Sequence, residues 1–221
     1  MNLAIFDLDN TLIAGDSEAE WPRFMLKRRL LSQAHLEQCE RYYHEYLAGT
    51  LNLHDALNFQ LAHLADFSRE ELDRLHAAYM DEHILPIIPA KARALLAAHR
   101  AEGDVVLIIT ATNRFLTAPI ARELGVEHLL AIELEEDGDG RFTGRYTGVP
   151  SYREGKIRRL DDWLAARGET LERYGKVFFY SDSQNDLPLL SHVSNPVAVD
   201  PDPTLRAHAE AQGWPVISLR D

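Results

Sequence analysis

The sequence predicts an α/β fold in which helices cover both faces of a doubly wound parallel sheet, with an all-helical segment inserted after the first strand. Short apolar runs rich in β-forming residues recur at LAIF (3–6), VVLIIT (105–110), LLAIEL (129–134), VFFYS (177–181), PVAV (196–199) and VISL (216–219). Helical patterns lie between several of them, at 89–103, 118–125, 155–168 and 203–213. Continuous apolar strands that alternate with helices are typical of a parallel sheet buried on both faces.

The ends of these elements carry their own signals. Each of the four helical patterns closes on a glycine, a residue that tolerates the left-handed conformation in which many helices end. The segment EEDGDGRFTG (135–144) places turn-forming residues between two extended stretches. We therefore expect one β-hairpin within a fold otherwise built from alternating strands and helices.

The segment 14–85 has a different pattern, with helical periodicity and no convincing strand. SREE (68–71) matches the S-x-x-E capping box that starts helices, and Pro86 interrupts the pattern before the sheet resumes. We therefore predict two domains, a core formed by residues 1–13 and 86–221 and a helical cap domain formed by residues 14–85.

Composition and charge narrow the range of partners. The 221-residue chain has 23 basic and 35 acidic side chains and a net charge of −12. This negative field repels nucleic acids and anionic membranes, so a small anionic substrate needs a local positive group or a metal. No stretch is long and apolar enough to predict a membrane span. The single cysteine, Cys39, excludes an internal disulfide and favours a reducing, cytoplasmic location; the oligomeric state stays open.

Unusual polar residues follow the predicted strands. Asp7 and Asp9 come directly after the first strand, Thr110 ends the second, Lys156 begins a helix, and SDSQNDLPLL (181–190) follows VFFY. Ligands of open parallel sheets bind beyond the carboxyl ends of the strands, so these residues are expected to meet in one pocket. Taken alone, each has a structural alternative: a polar turn for the aspartates, a helix cap for Thr110 or the second acidic cluster, and solvated surface for Lys156.

Taken together, these residue types fit phosphoryl chemistry. Three carboxylates with backbone carbonyls suit a hard divalent cation, most naturally Mg²⁺. A metal, a lysine and hydroxyl donors are what the oxygens of a phosphoryl group require. An ionised carboxylate can attack phosphorus without a base and form an aspartyl-phosphate. A second carboxylate is then free to protonate the leaving oxygen and later to activate water.

These segments resemble the haloacid dehalogenase superfamily. DLDNTL (7–12) matches its first motif, D-x-D-x-T, and Thr110, Lys156 and SDSQNDLPLL match the second, third and fourth motifs in order, so the resemblance covers the whole chain. It implies a Rossmann-like core, an inserted helical cap of the C1 type and Mg²⁺ as cofactor. The dehalogenase branch lacks the second aspartate, so Asp9 favours phosphoryl transfer over C–halogen cleavage.

The resemblance also implies catalytic roles. Asp7 is the expected nucleophile and a Mg²⁺ ligand. Asp9 is the expected general acid and base, and its backbone carbonyl is expected to bind the metal. Thr110 is expected to bind a phosphoryl oxygen, and Lys156 to screen the charges of Asp7 and the phosphate.

Other residues are implied to bind metal or substrate. Asp182 is an expected Mg²⁺ ligand, and Asp186 is expected to act through a metal-bound water. Asn185 and Ala111 are expected to bind substrate. Asp16 occupies the position of a glutamate that grips the substrate amine in phosphoserine phosphatases, and capping of the following helix is an equal alternative.

Within the superfamily, the chain resembles subfamily IB, which includes phosphoserine phosphatases and histidinol-phosphate phosphatase-like proteins. The second group is the closer match, through YYHEYLAGTL (42–51) in the cap and GW (213–214) near the C-terminus. The phosphoserine assignment is weakened by Asp16 in place of glutamate, and by TAT (110–112) where phosphoserine phosphatases usually have Ser-Gly-Gly. No motif identifies a cap arginine for a substrate carboxylate, and Arg41 is a candidate by location alone.

The sequence therefore predicts a Mg²⁺-dependent phosphomonoester hydrolase for a small phosphorylated metabolite, histidinol phosphate or another amine-bearing phosphomonoester. A phosphoserine phosphatase, or a phosphotransferase or phosphomutase on the same scaffold, is the alternative. A binding protein without activity is disfavoured, because a scaffold has no need of these residues. The ten histidines show no metal-ligand spacing, and Cys39 is expected to pack. Several cap aromatics are expected to form the cap core, with one or two lining the pocket: Trp21, Phe24, Tyr42, Tyr43 and Tyr46.

Overall fold

A seven-stranded sheet forms the centre of the fold. The structure, a computed structural model, describes residues 1–220. The strands are β1 (Leu3–Phe6), β2 (Val105–Asn113), β3 (His128–Glu136), β4 (Phe142–Thr147), β5 (Val177–Ser181), β6 (Asn195–Val199) and β7 (Val216–Ile217). They lie in the order β4-β3-β2-β1-β5-β6-β7, and every neighbouring pair is parallel except the β3–β4 hairpin. The predicted sheet and hairpin are confirmed.

Helices occupy most of the remaining chain. Five lie between β1 and β2: α1 (Ser17–Lys27), α2 (Gln33–Leu47), α3 (Leu53–Ala62), α4 (Arg69–Tyr79) and α5 (Ala90–Ala101). The later ones are α6 (Arg114–Glu123), α7 (Glu154–Ala166), α8 (Leu187–Leu190) and α9 (Pro203–Gln212). Within residues 1–220, none of these helices combines the length and apolarity that a bilayer crossing requires.

Both faces of the sheet are covered. In β1, Leu3 and Ile5 belong to one apolar cluster and the two alternate residues to another, and all four side chains are fully buried. Helices α5 and α6 contribute to one cluster, whereas α7 and α9 contribute to the other through Leu160 and Leu205. Apolar contacts on both faces fix β1 at the centre of the sheet, and so fix the position of the acidic turn that follows it.

The helices α1, α3 and α4 share an apolar cluster with this sheet. Trp21 and Tyr79 are buried in the same apolar cluster as Phe6 of β1. Helix α3 lies against β4, where a Cβ atom on Gly144 would come within 3.0 Å of the Ala62 backbone, so this close approach needs glycine. The division into a core (1–13 and 86–221) and a cap (14–85) stays a prediction, and one continuous apolar cluster crosses that boundary.

The end of β2 and the start of α6 differ most from the predicted boundaries. Strand β2 continues three residues past Thr110 to Asn113, and α6 begins at Arg114 rather than at residue 118. The Asn113 side chain caps α6 by accepting a hydrogen bond from the Leu116 backbone N–H at 3.1 Å. The predicted capping box at SREE (68–71) is present, with Ser68 and Glu71 bonding reciprocally.

Candidate active site

The first and fourth acidic motifs meet at the carboxyl ends of β1 and β5. Asp7 follows β1, and Asp182 follows β5. The Thr11 hydroxyl lies between their carboxylates, 3.0 Å from Asp182 Oδ1 and 3.4 Å from Asp7 Oδ2, and it accepts the Asp182 backbone N–H at 3.1 Å. The two carboxylates are therefore neighbours, although 175 positions separate them in the sequence (182 minus 7). The tight turn over Leu8–Leu12, in which Asn10 has a φ of 57°, brings Thr11 back toward Asp7.

Lys156 is buried beside this pair. Its ammonium donates to Asp7 Oδ1 at 2.8 Å and to Asp186 Oδ2 at 2.7 Å, and the side chain is only 1% exposed. Burial alone would lower the pKa of Lys156, but the charges of Asp186 and Asp7 outweigh burial and raise it above its ordinary value. The amine is therefore charged, which explains a lysine in the first turn of α7, where the helix dipole disfavours it.

The carboxylates carry more negative charge than one lysine balances. Burial, opposed by Lys156 and reinforced by the Asp186 charge, raises the pKa of Asp7 to about 7. Burial and the Asp7 charge raise the pKa of Asp182 well above its ordinary value. Such shifts indicate a site that lacks positive charge, which a bound cation would supply.

The donor chemistry fits a hard divalent ion. Asp7 and Asp182 offer neighbouring carboxylate oxygens on either side of the Thr11 hydroxyl. Within residues 1–220, no group of three or more histidine, cysteine, aspartate or glutamate side chains is arranged to hold a metal. Two carboxylates completed by carbonyls and water suit Mg²⁺, which keeps several waters when bound to proteins. The Asp186 carboxylate is instead bonded to Lys156 and to the Ser181 hydroxyl, each at 2.7 Å.

Asp9 is held by a different set of donors. Its Oδ1 accepts the Ser17 backbone N–H at 2.6 Å, and its Oδ2 accepts the Thr112 hydroxyl at 2.8 Å and lies 3.5 Å from Thr110 Oγ1. Burial raises the pKa of Asp9, and the bonds from Ser17 partly oppose this. A buried carboxyl with a raised pKa suits proton transfer. The sequence did not identify Thr112 as a partner of Asp9.

A cavity opens from these residues toward the helices α1 and α2, and the space in it that the centre of a water molecule can reach is about 50 Å³. Asp16, Thr110 and Ala111, three of the predicted substrate-binding residues, line it. The cap aromatics Tyr42 and Tyr43 line it as well, together with Tyr46, so more of them face the pocket than the sequence indicated. Lys156 does not line the cavity and contacts Asp7 instead.

Two more acidic residues, Asp16 and Glu18, line the cavity. Asp16 caps α1 by accepting the Ala19 backbone N–H at 2.8 Å, and burial and the Asp9 charge raise its pKa well above the ordinary value. Glu18 also lines the cavity, and burial and the same charge raise its pKa to about 7. The sequence did not single out Glu18; its place in the first turn of α1, two residues after Asp16, is the signal that points to it. Arg41, the suggested carboxylate ligand, is exposed and bonds to Gln38 rather than lining the cavity.

Three side chains from the core bind the end of α2. Gln184 Nε2 donates to the Leu47 carbonyl at 2.8 Å, Asn185 Nδ2 to the Tyr46 carbonyl at 2.9 Å, and Arg153 to the Gly49 carbonyl at 2.5 Å. Arg153 Nη2 also donates to Asn185 Oδ1 at 3.0 Å, and Tyr152 OH to the same atom at 3.1 Å. We call Arg153, Gln184 and Asn185 the α2 clamp. The Asn185 amide is thus bonded to protein, and its predicted contact with substrate stays a prediction.

Known proteins resemble this chain over nearly its whole length. A family model described as haloacid dehalogenase-like hydrolase matches residues 4–191. A histidinol-phosphatase from Neisseria meningitidis serogroup C (strain 8013) is 49% identical over 220 residues, covering 99% of each chain. A phosphoserine phosphatase from Mycobacterium tuberculosis (strain ATCC 25618 / H37Rv) is 34% identical, covering 98% of this chain and 70% of its own.

Solved structures give the same picture. A protein of unknown function from Bordetella pertussis Tohama I is 43% identical and superposes with a TM-score of 0.92, covering 99% of this chain and 98% of its own. A phosphoserine phosphatase solved as a phospho-aspartyl intermediate analogue superposes with a TM-score of 0.71 and covers 99% of this chain and 93% of its own. At 20% identity, the second likeness shows a common fold.

Proposed function

This chain is a phosphatase that belongs to the haloacid dehalogenase-like hydrolase family, and we propose that it hydrolyses a small phosphomonoester whose leaving group carries an amine and no carboxylate. Histidinol phosphate is the proposed substrate. The observation that carries this proposal is the charge of the cavity lining. Asp7, Asp9, Asp16 and Glu18 all line the cavity, and no arginine, lysine or histidine within residues 1–220 does.

The lining distinguishes the candidate substrates. Carboxylates and tyrosine rings attract a cationic amine through charge and through cation–π contact. Phosphoserine carries a carboxylate as well as an amine, and that carboxylate would lie among Asp16 and Glu18 without a basic partner. A charge left unpaired in a buried site is strongly unfavourable. The 49% identity to a histidinol-phosphatase supports the same choice.

The proposed reaction begins with attack of an Asp7 carboxylate oxygen on phosphorus. The bond from phosphorus to the leaving oxygen breaks, and Asp9 gives that oxygen its proton, which releases the alcohol and leaves an aspartyl-phosphate. Asp9 then takes a proton from water as the water attacks phosphorus. The Asp7–phosphorus bond breaks, inorganic phosphate leaves, and both aspartates return to their starting states.

The other residues stabilise charge during these steps. Lys156 orients the Asp7 carboxylate through its 2.8 Å bond and balances the charge around it. Asp7, Asp182 and the Asp9 backbone carbonyl would hold Mg²⁺, which when bound supplies positive charge to the phosphoryl oxygens. Thr110 offers a hydroxyl beside Asp9, and Asp186 fixes Lys156 from its other side.

Transfer of the phosphoryl group to an acceptor other than water uses the same first step, so this site alone favours neither outcome. The helices over the cavity limit the entry of a second large substrate, which supports hydrolysis. The proposal includes a cytoplasmic location, which the single Cys39 favours.

The test is a screen of phosphorylated metabolites with Mg²⁺, including histidinol phosphate, phosphoserine and p-nitrophenyl phosphate. We expect histidinol phosphate to give a higher kcat/KM than phosphoserine, and Asp7→Asn to abolish turnover of every substrate while circular dichroism shows the native fold. A higher kcat/KM for phosphoserine would overturn the substrate assignment. Activity retained in Asp7→Asn would remove Asp7 as nucleophile.

A further inference from the structure

A second cavity adjoins the active-site cavity between α1, α2, α3 and the start of α6. The space in it that the centre of a water molecule can reach is about 20 Å³. Glu18, Cys39 and Gln60 line both cavities, so the two meet at these side chains. We call the second cavity the inner chamber; its other lining residues include Trp21, His35, His63 and Phe115. No step of the proposed reaction uses this chamber.

His63 lines this chamber, and one of its ring nitrogens has no hydrogen-bond partner of normal geometry. Its Nε2 lies 2.9 Å from Trp21 Nε1, which can only donate, so Nε2 is the acceptor and carries no proton. Burial lowers the pKa of His63 to about 4, so the ring is neutral and its proton is on Nδ1. The Gln60 backbone carbonyl lies near the ring, yet Nδ1 makes no hydrogen bond of normal geometry. The side chain is 8% exposed, which makes an unpaired N–H unfavourable.

The walls around this donor are flat and aromatic. Trp21 and Phe115 pack edge to face with ring centroids 5.4 Å apart, and His35 packs against His63 with centroids 5.5 Å apart. His35 Nε2 is likewise buried and without a partner. A ligand group suited to this chamber is therefore planar, largely apolar, and able to accept a hydrogen bond from an N–H.

We propose that the inner chamber binds a planar nitrogen heterocycle of the leaving group, and that His63 Nδ1–H donates to the unprotonated ring nitrogen. His63 is thus a specificity-determining residue. This inference rests on the proposed function and extends it, because the amine would remain near Glu18 while the ring passes beyond Glu18 into the chamber. An imidazole ring has the required unprotonated nitrogen, and an aminoalkyl phosphate without a ring leaves the chamber empty.

The test compares three substrates: histidinol phosphate, O-phosphoethanolamine, which has the amine and no ring, and p-nitrophenyl phosphate. We expect His63→Leu to lower kcat/KM for histidinol phosphate by about 10- to 100-fold, because a buried hydrogen bond to the ring is lost. The other two substrates should keep their wild-type values. His63→Gln retains an N–H donor and should recover part of the loss. His54→Leu, at an exposed histidine bonded to Tyr146, is the matched control.

Calorimetric titration with histidinol, the alcohol without phosphate, measures the same subsite without turnover. Wild type should bind it more tightly than ethanolamine, and His63→Leu should abolish that preference. An equal loss for all three substrates, or a wild-type enzyme that does not prefer the ring-bearing ligand, overturns the inference while the proposed phosphatase stands. If His63→Leu does not fold, His63→Gln and the wild-type preference still decide. Failure of wild type to hydrolyse any of the three phosphates contradicts the proposed function, and the titration then tests the subsite independently.

Discussion

Lys156 and Asp7 form a buried ion pair in which Nζ lies 2.8 Å from Oδ1. Asp186 lies 2.7 Å from the same ammonium, so two carboxylates share one cation. The other oxygen of Asp7 remains on the side of Thr11 and Asp182. A single lysine thereby joins the first motif to the fourth and fixes the orientation of the proposed nucleophile.

Replacement of this lysine should affect both stability and activity. In Lys156→Met, two buried carboxylates lose their partner, and we expect the free energy of unfolding to fall by about 3–5 kcal/mol. The kcat/KM for p-nitrophenyl phosphate should fall by at least about 100-fold, since the nucleophile loses its orientation. Urea denaturation and steady-state kinetics measure the two effects.

Lys27→Met is the control for this experiment. Lys27 is exposed and pairs with Glu82 at 3.6 Å, so its removal should cost less than about 1 kcal/mol. A Lys156→Met variant as stable as Lys27→Met would contradict the importance of the buried pair.

Metal removal tests the charge imbalance around Asp182. We expect EDTA to abolish turnover and added Mg²⁺ to restore it. Mg²⁺ should also raise the Tm of wild type, because a bound cation offsets the repulsion between Asp7 and Asp182. Asp182→Asn should lose most of that Tm increase, whereas Asp81→Asn, at an exposed position, should keep it. Turnover that continues at full rate in EDTA would refute the metal assignment.

Features that depend on local pattern could be predicted from the sequence. The apolar runs identified β1 and β5, and the parallel arrangement then required Asp7 and Asp182 to meet, as they do through Thr11. Helix α6 begins before the predicted position. Asn113 is equally compatible with a loop and with a helix cap, and only its hydrogen bond from the Leu116 backbone N–H identifies the cap.

Features that depend on distant partners could not be predicted. His63 is one of ten histidines without metal-ligand spacing, and only its contact with Trp21, 42 positions away, shows which nitrogen carries the proton. Glu18 and Asn113 are 95 positions apart and lie 3.4 Å from each other in the structure. Periodicity indicates which face of a helix is buried, but it does not indicate which other element covers that face.

A variant that weakens the α2 clamp should alter substrate access to the active site. Arg153→Met removes the bonds to the Gly49 carbonyl and to Asn185, so the end of α2 should open more often. We expect KM for the amine-bearing substrate to rise about tenfold. The Tm should change little, because the apolar contacts of the cap remain. Arg167→Met, on the exposed end of α7, is the control. Faster hydrogen exchange at residues 46–49 in Arg153→Met alone would accompany the kinetic change, and unchanged exchange and KM would argue against a clamp.

Substitution can separate the helix-capping bond of Asp16 from its proposed contact with the substrate amine. Serine is as good a helix cap as aspartate but carries no charge, whereas alanine neither caps a helix nor carries a charge. If Asp16 binds the substrate amine, Asp16→Ser and Asp16→Ala should both raise KM for O-phosphoethanolamine relative to p-nitrophenyl phosphate. If Asp16 only caps α1 through Ala19, Asp16→Ser should match wild type and Asp16→Ala should lose about 1 kcal/mol of stability. We expect the first result, because Asp16 lines the cavity.

The raised pKa of Glu18 predicts that kcat/KM depends on pH differently for a leaving group with an amine and for one without it. Burial and the Asp9 charge raise the pKa of Glu18 to about 7, so its carboxyl is neutral below that pH and charged above it. Only the charged form attracts an ammonium ion, and the amine of O-phosphoethanolamine stays protonated throughout this range. Its kcat/KM, divided by that of p-nitrophenyl phosphate to cancel the titration of the phosphate, should therefore rise several-fold between about pH 6 and about pH 8. In Glu18→Gln the ratio should be lower and should rise much less over this pH range. A ratio that rises equally in both enzymes would assign the titration to another group.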